Sequence, residues 1–335
     1  MNNLIKITFF VFLLSCGQDI TYENNIKEDL IFLADDKLEG RKTGTKGEKL
    51  AAKYISERFE RLNLSDKGTE NYYQDFYFGN NNNPHEEIEF NKESDNSQIH
   101  ARNVVGFLDN GGSNTVVIGA HYDHLGYGEN SSLYFGDEVL IHNGADDNAS
   151  GTSLLLDLAN RLATKELKSN YLFIAFSGEE MGLLGSNYFL KNPTVSKDEI
   201  NYMINMDMVG RLNEDNKLSV SGVGSAKIFK QIVNSNNSNF NLVEFGSSST
   251  SSFGSSDHAS FYYEDIPVLS FFTGQHEDYH KPSDDYEKIN FEGIELISDY
   301  IEDIIEQLDS MDKLEFIKAE ETQNATPRFK VGLGV

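Results

Sequence analysis

The sequence is poor in cysteine and in basic residues. Of its 335 residues only Cys16 is a cysteine, so no disulfide can form within the chain and a packed core must supply its stability. Lysine and arginine number 28 against 54 aspartates and glutamates, which gives a formal net charge of −26. Because such a surface repels phosphates and anionic lipid, we expect no nucleic-acid partner.

Long hydrophobic runs are missing as well. The apolar run at 7–14 follows Lys6 and is too short to span a bilayer, which is typical of a signal peptide. It ends in "LLSC", which resembles the lipobox of bacterial lipoproteins. We therefore expect a signal peptide over 1–16, lipidation of Cys16, and an exported protein that meets the membrane of the cell envelope only through this lipid. An ordinary signal peptide with an unmodified cysteine is the alternative.

The remaining chain is apolar enough, at 39% hydrophobic residues, to fold as one large domain, which we expect over 22–312. An amphipathic helix is predicted at 48–64, and further helices are predicted at 148–164 and 291–311. Short apolar, β-branched runs at 114–123, 170–180, 202–210 and 266–274 predict strands that are covered on both faces. The pattern indicates an α/β fold with a mostly parallel central sheet and helices on both of its faces.

Acids and histidines follow the predicted strands where each strand ends. Ligands bind at the carboxyl ends of strands in open α/β sheets, so these residues are candidates for a common site. They are His121 and Asp123 in "HYDH", Glu179 and Glu180 in "SGEE", Asp207 in "NMDM" and His280 in "DYHK", with Asp146 and Asp147 in "GADDNASG" at the entry to a helix. Carboxylates and imidazoles are ligands of divalent metals, and a metal pair would relieve their mutual repulsion.

Two metal sites that share one carboxylate need five ligands, and two histidines, two aspartates and one glutamate are available. Glu180 would bind metal, which leaves its neighbour Glu179 beside a metal-bound water as the general base.

Together these motifs resemble the co-catalytic zinc aminopeptidases of peptidase family M28, in the family's order. The resemblance implies a zinc-dependent exopeptidase fold of the phosphorylase/hydrolase-like type and two Zn²⁺ per chain. It implies that Asp146 bridges both ions, with Glu180 and His280 completing one site and His121 and Asp207 the other. Asp123 would accept a hydrogen bond from His121 and orient its ring, and the peptide bond after the bridging acid would be cis.

One position departs from the family. Several secreted relatives carry a tyrosine, thought to stabilise the oxyanion, where this chain has Phe253. Phenylalanine cannot donate a hydrogen bond, so stabilisation of the oxyanion would fall to the metal or to another donor, such as Tyr262, Tyr279 or a backbone amide.

Other polar residues have simpler explanations. Asp147 is expected to start a helix, and His124, His142 and His258 are expected at the surface or in packing roles. His276 could support a ligand or touch substrate, while Arg41 and Gly44 could line the cleft or cap a helix.

The leading hypothesis is an aminopeptidase acting on peptides with a free N-terminus, in which metal-bound hydroxide attacks and Glu179 shuttles the proton. A single-zinc acyltransferase similar to glutaminyl cyclases and a metal-free receptor-like binding module are the alternatives. Residues 313–335 form an extension whose apolar end could begin a truncated PDZ-like domain.

Overall fold

The computed structural model describes residues 24–79, 89–91, 98–235, 237, 239–245 and 256–318. Seven helices are defined within these ranges: α1 (Ile26–Leu33), α2 (Lys46–Arg61), α3 (Gly151–Ala163), α4 (Leu184–Lys191), α5 (Phe229–Ser235), α6 (His258–Tyr263) and α7 (Phe291–Asp309). The strands are β1 (Ser65–Asp66), β2 (Tyr73–Gly79), β3 (Phe90–Asn91), β4 (Gln98–Leu108), β5 (Thr115–His121), β6 (Asn170–Phe176), β7 (Ile200–Met206), β8 (Lys217–Ser221), β9 (Asn241–Phe245) and β10 (Val268–Phe272).

One mixed sheet organises the fold, in the order β3-β2-β4-β6-β5-β7-β10-β8-β9, with β1 paired to β4. Its four central strands, β6, β5, β7 and β10, run parallel. Antiparallel pairs join β4 and β8 to this centre. The predicted parallel sheet is therefore confirmed at the centre, where the site lies, and antiparallel strands extend it on both sides.

Helices cover both faces of the sheet, as predicted. The larger core packs helices α1, α2, α3 and α7 against one face, where Ile118 of β5 is buried. On the other face Val117 packs in a second core that includes Phe189 of α4 and Phe261 of α6. Neighbouring residues of β5 therefore face opposite cores, which explains why the central strands read as continuous apolar runs.

The predicted long helices form close to their expected positions, and local capping explains two of their starts. The Thr45 side chain accepts a hydrogen bond from the backbone N–H of Glu48 at the start of α2, and Asn290 does the same from Gly293 at α7. Helix α3, predicted from residue 148, starts later, at Gly151. Ala145–Ser150 form a separate irregular helical turn before it, and this turn carries site residues.

Three predicted features lie outside the described residues or at their edge. The signal peptide at 1–16 with Cys16 and residues 319–335 are outside them, and 313–318 run without regular structure along the domain. Within the described ranges, no helix combines the length and the hydrophobicity needed to cross a membrane.

Candidate metal centre

The parallel strands deliver the predicted residues to one edge of the sheet. Strand β5 ends at His121, β7 is followed directly by Asp207, and the turn after β6 carries Glu179 and Glu180. These residues, together with Asp147 and His280, line a common cavity.

Asp147 lies at the centre of this cluster. Its Oδ1 is 3.4 Å from Nε2 of His121, which is itself 3.4 Å from Oδ1 of Asp207. These three side chains form one group whose potential ligand atoms all lie within 4.8 Å of one another.

A second group shares the same aspartate. Oδ2 of Asp147 lies 3.2 Å from Nε2 of His280, and the same nitrogen lies 3.3 Å from Oε2 of Glu180. His124 also belongs here, because its Nδ1 is 2.8 Å from Oε1 of Glu180. Asp147 thus joins the two groups into one candidate centre.

The expectation that Asp146 bridges the two groups does not fit this arrangement. The Asp146 carboxylate turns away from the cluster: its Oδ1 accepts a hydrogen bond from the backbone N–H of Gly210 at 2.6 Å, and its Oδ2 lies 3.1 Å from Nε2 of His276. Asp147, which we expected only to start a helix, holds the shared position instead. The cis peptide bond correspondingly follows Asp147, between Asp147 and Asn148, and not Asp146.

The turn that carries Asp147 depends on a glycine before it. Gly144 has a φ of +56°, in the left-handed region that favours glycine. A side chain there would collide with the backbone oxygen of Asp147 and with the ring of His124. Backbone N–H groups of Asp146 and Asp147 both donate to Oδ2 of Asp284, at 2.9 and 3.1 Å, and fix the turn from the other side.

Charges within the cluster compensate one another. Burial disfavours the charged forms, but the carboxylates of Glu179 and Asp207 outweigh it and hold the pKa of His121 well above its usual range. Burial likewise opposes the effect of Asp147 and Glu180, which raise the pKa of His280 to about 10. In turn, the neighbouring rings of His121 and His280 outweigh the burial of Asp147 and keep its pKa well below the usual range.

The nitrogen and oxygen atoms of the cluster are placed to bind divalent metal ions rather than to hydrogen-bond with one another. Nε2 of His280 is within 3.3 Å of two carboxylate oxygens, yet it is buried and aligned to hydrogen-bond neither of them. Nitrogen and oxygen atoms that crowd together in this way are arranged as ligands around a common point. Imidazole and carboxylate without thiolate is a donor set that zinc accepts.

Glu179 is the acid that neither group uses. It lines the same cavity, half-buried, next to Glu180. Burial raises the pKa of its carboxyl well above the usual range, although the nearby His121 opposes this. The two adjacent glutamates therefore have separate surroundings: Glu180 contacts His124 and His280, whereas Glu179 contacts neither.

Asp123 is buried next to the candidate metal ligands and contacts the residues that position them. Its buried carboxylate accepts hydrogen bonds from Thr43 Oγ1 at 2.9 Å and from the backbone N–H of Glu179 at 3.2 Å. Nδ1 of His121 is 3.8 Å from Oδ1 of Asp123 but 3.2 Å from its backbone oxygen, so the backbone is the nearer partner of the ring. Asp123 consequently links the histidine to the Glu179 turn.

Arg41 holds together the backbone that carries these residues. It is fully buried, and its guanidinium donates to the backbone oxygens of Tyr122, Leu33, Asn143 and Gly144. Burial lowers the pKa of Arg41 to about 10, an effect opposed by Asp147 and other site acids. Arg41 therefore supports the backbone of the site without lining the cavity, whereas Gly44 lies at the start of α2, where its backbone N–H donates to Glu48 Oε2 at 2.6 Å, as expected of a helix cap.

Of the other histidines that the sequence singled out, His142 and His258 are buried and His276 is partly exposed. His142 is 2.7 Å from Ser132 Oγ through its Nε2, His276 contacts Asp146, and His258 lines the cavity. Among the described histidines that were not expected to bind metal, His124 alone contacts a candidate ligand, Glu180, and its place in "HYDH" did not reveal this contact.

Of the two tyrosines considered as donors to the oxyanion, one lines the cavity and the other does not. Tyr279 lines the cavity and stacks on His280 with ring centroids 3.9 Å apart, whereas Tyr262 is buried outside it and packs against Phe316. Phe253 lies outside the described residues.

Comparison with known proteins gives a family match. The model of peptidase family M28 matches residues 103–305, more than half of the chain. The chain is 33% identical to aminopeptidase YwaD of Bacillus subtilis over 175 residues, which cover 49% of this chain and 38% of that protein. Similarly, 28% identity to the alkaline phosphatase isozyme conversion protein of Escherichia coli covers 50% of this chain and 46% of that one. The matched stretches thus span less than half the length of these curated relatives.

Solved structures share the fold. A Zn-dependent exopeptidase from Parabacteroides distasonis is similar with a TM-score of 0.66 and 20% identity, over 86% of this chain and 99% of that chain. The glutaminyl cyclase of Bacteroides thetaiotaomicron is similar with a TM-score of 0.64 and 16% identity, over 85% of this chain and 99% of that one. These likenesses concern the fold, whereas the sequence match and the ordered motifs concern the family: the chain belongs to peptidase family M28.

Proposed function

We propose that this chain is a zinc-dependent aminopeptidase that removes residues from the free N-terminus of peptides. One observation carries the proposal: Asp147 is shared by two groups of metal-ligating side chains, and the unligated Glu179 stands beside them in the same cavity. Membership of a peptidase family supports this assignment, and the name of the Bacillus relative supports the N-terminal specificity.

Two zinc ions per chain are the complement that the donor set supports. His121, Asp207 and Asp147 would hold one ion, and Asp147, Glu180 and His280 the other. When bound, zinc lowers the pKa of water and polarises a carbonyl group.

The chain's own residues would then carry out the proton transfers. Glu179 takes a proton from the attacking water and passes it to the nitrogen of the leaving amine. Tyr279 donates a hydrogen bond to the oxygen of the scissile carbonyl as negative charge develops there. The acidic residues at the cavity attract the substrate's ammonium group, which explains a preference for a free N-terminus.

The decisive variant is Glu179→Gln. It should abolish hydrolysis of aminoacyl-nitroanilides and leave the zinc content unchanged, because the amide keeps the volume but cannot accept the proton. Glu277→Gln changes an exposed glutamate on the neighbouring loop and serves as the matched control. Normal turnover by Glu179→Gln, or activity unaffected by a chelator, would overturn the proposal.

The same assay distinguishes the cyclase alternative. A peptide with N-terminal glutamine should yield free glutamine and the shortened peptide, which mass spectrometry identifies. Release of ammonia with a pyroglutamyl product would instead assign the cyclase reaction. Hydrolysis of an N-acetylated peptide at the same rate would exclude a requirement for the free amine.

Export and lipid anchoring complete the proposed function. They rest on the sequence of the first 16 residues, with Cys16 as the modified residue. Incorporation of labelled fatty acid into the chain, and its loss in Cys16→Ser, would test the anchor. An unlabelled but exported chain would favour an ordinary signal peptide.

A further inference from the structure

The cavity extends beyond the candidate metal ligands toward a wall that the proposed chemistry does not use. Its volume is about 280 Å³. Two apolar residues, Met208 and Phe272, contribute to the lining. Most described residues of this wall are nevertheless polar: Ser221, Ser256, His258, Ser270 and Gln275.

Strand pairing brings part of this polar surface together. Ser270 on β10 is the direct partner of Ser221 on β8 in the antiparallel pair. Asn205 on β7 stands between two of the serines: its Nδ2 donates to Ser256 Oγ at 3.0 Å and to Ser270 Oγ at 3.4 Å. Because each hydroxyl accepts this bond, its own proton remains able to donate to an occupant of the cavity.

His258 adds an unpaired donor and acceptor. Only 2% of the residue is exposed, and neither ring nitrogen has a hydrogen-bond partner among the described residues. Burial lowers the pKa of His258 to about 4, so the ring is neutral at pH 7, with one nitrogen donating and the other accepting. Leaving both unpaired in a buried position is unfavourable, and a polar occupant would remove that cost.

We propose that this wall binds the side chain of the substrate's N-terminal residue and favours a carboxamide, asparagine or glutamine, over an apolar side chain of the same size. The inference rests on the proposed aminopeptidase function and specifies its substrate. A carboxamide offers both a donor and an acceptor, which match His258 and the serine hydroxyls.

Charged side chains fit this wall less well. A carboxylate would share the cavity with Glu179 and Asp207, and a neutral His258 offers it no compensating charge. The ammonium of lysine has donors only, so it would leave the N–H of His258 without an acceptor.

Matched substrates test the preference directly. Asparagine and leucine have similar volumes, as do glutamine and methionine, so each pair isolates the polar contacts. With aminoacyl-coumarin substrates, kcat/KM for the amide should exceed that for its apolar partner by about tenfold or more, since a buried polar site discriminates against a ligand that leaves it unpaired.

Substitutions assign the preference to its residue. His258→Leu should lower the Asn/Leu ratio of kcat/KM by about tenfold, with the leucine substrate unchanged or improved, and His258→Asn should restore part of the ratio. Ser260→Ala is the matched control, because Ser260 lies two residues away on α6 and its hydroxyl contacts Ser186, outside the cavity. If His258 had a purely structural role, His258→Leu would lower kcat/KM equally for the asparagine and leucine substrates.

A binding measurement keeps the specificity separate from catalysis. Calorimetry with Glu179→Gln should give tighter binding of asparaginol than of leucinol, and the difference should disappear in Glu179→Gln/His258→Leu. If no substrate is hydrolysed, the aminopeptidase proposal fails while the two amino alcohols still report on the wall. Preference for leucine and methionine, an unchanged ratio in His258→Leu, or no binding of either alcohol would overturn the inference.

Discussion

Asp147 presents one carboxylate oxygen to His121 and the other to His280: Oδ1 lies 3.4 Å from Nε2 of His121, and Oδ2 lies 3.2 Å from Nε2 of His280. A carboxylate with histidines on both of its oxygens can ligate one cation through each oxygen. The neighbouring Asp146 is hydrogen-bonded to the Gly210 backbone and has no such position.

The first prediction therefore contrasts these two acids. Asp147→Asn should reduce bound zinc from about two ions per chain to one or fewer, because it removes the negative charge shared by both groups. The Asp146→Asn variant should still bind about two zinc ions per chain, since the amide oxygen can still accept a hydrogen bond from the Gly210 N–H. Metal analysis after gel filtration gives the stoichiometry, with circular dichroism as the control for folding. Loss of zinc in Asp146→Asn alone would reinstate Asp146 as the bridge.

Much of the fold and most of the candidate site could be predicted because they follow from position along strands. His121, Glu179, Glu180 and Asp207 lie at or just past the ends of parallel strands, and the sheet brings such ends to one edge. Apolar runs long enough to be buried on both faces made these strands visible in the sequence.

The choice between Asp146 and Asp147 could not be predicted in this way. Adjacent residues of a helical turn point in different directions, and the direction here depends on the turn that Gly144 begins and Asp284 fixes. His124 was missed for a related reason, since its contact with Glu180 joins segments 56 residues apart. Such contacts depend on tertiary packing and leave no local pattern.

Thr43 provides a test of how the centre is supported. Thr43→Val preserves the shape of this buried side chain but removes the hydroxyl that donates to Asp123 Oδ2 at 2.9 Å. We expect kcat/KM or zinc affinity to fall about tenfold, the lower end of the usual effect of residues behind a metal ligand. Thr43→Ser retains the hydroxyl and should stay near the parent value. Equal losses in both variants would indicate a packing role.

Arg41 is expected to matter for stability. Arg41→Met leaves four backbone oxygens without their buried donor, and we expect the free energy of unfolding to fall by about 3 kcal/mol or more. The free energy of unfolding of Arg41→Lys should lie between those of the parent and Arg41→Met, because one ammonium group cannot reach all four oxygens. Urea denaturation of the metal-free proteins measures both values. A loss below about 1 kcal/mol in Arg41→Met would contradict this role.

Tyr279 is predicted to act on the reaction itself. Tyr279→Phe keeps the ring that stacks on His280 but removes the hydroxyl from the cavity. Burial and the nearby Asp147 raise the pKa of Tyr279 above its usual value, so the hydroxyl stays protonated and able to donate across the working pH range.

Loss of one oxyanion donor should lower kcat by about 10²-fold or more, with KM little changed. Tyr262→Phe, outside the cavity, is the control and should keep kcat near the parent value. If Tyr279→Phe instead raised KM and spared kcat, the hydroxyl would serve substrate binding, and the hydrogen bond to the oxyanion would have to come from a backbone amide.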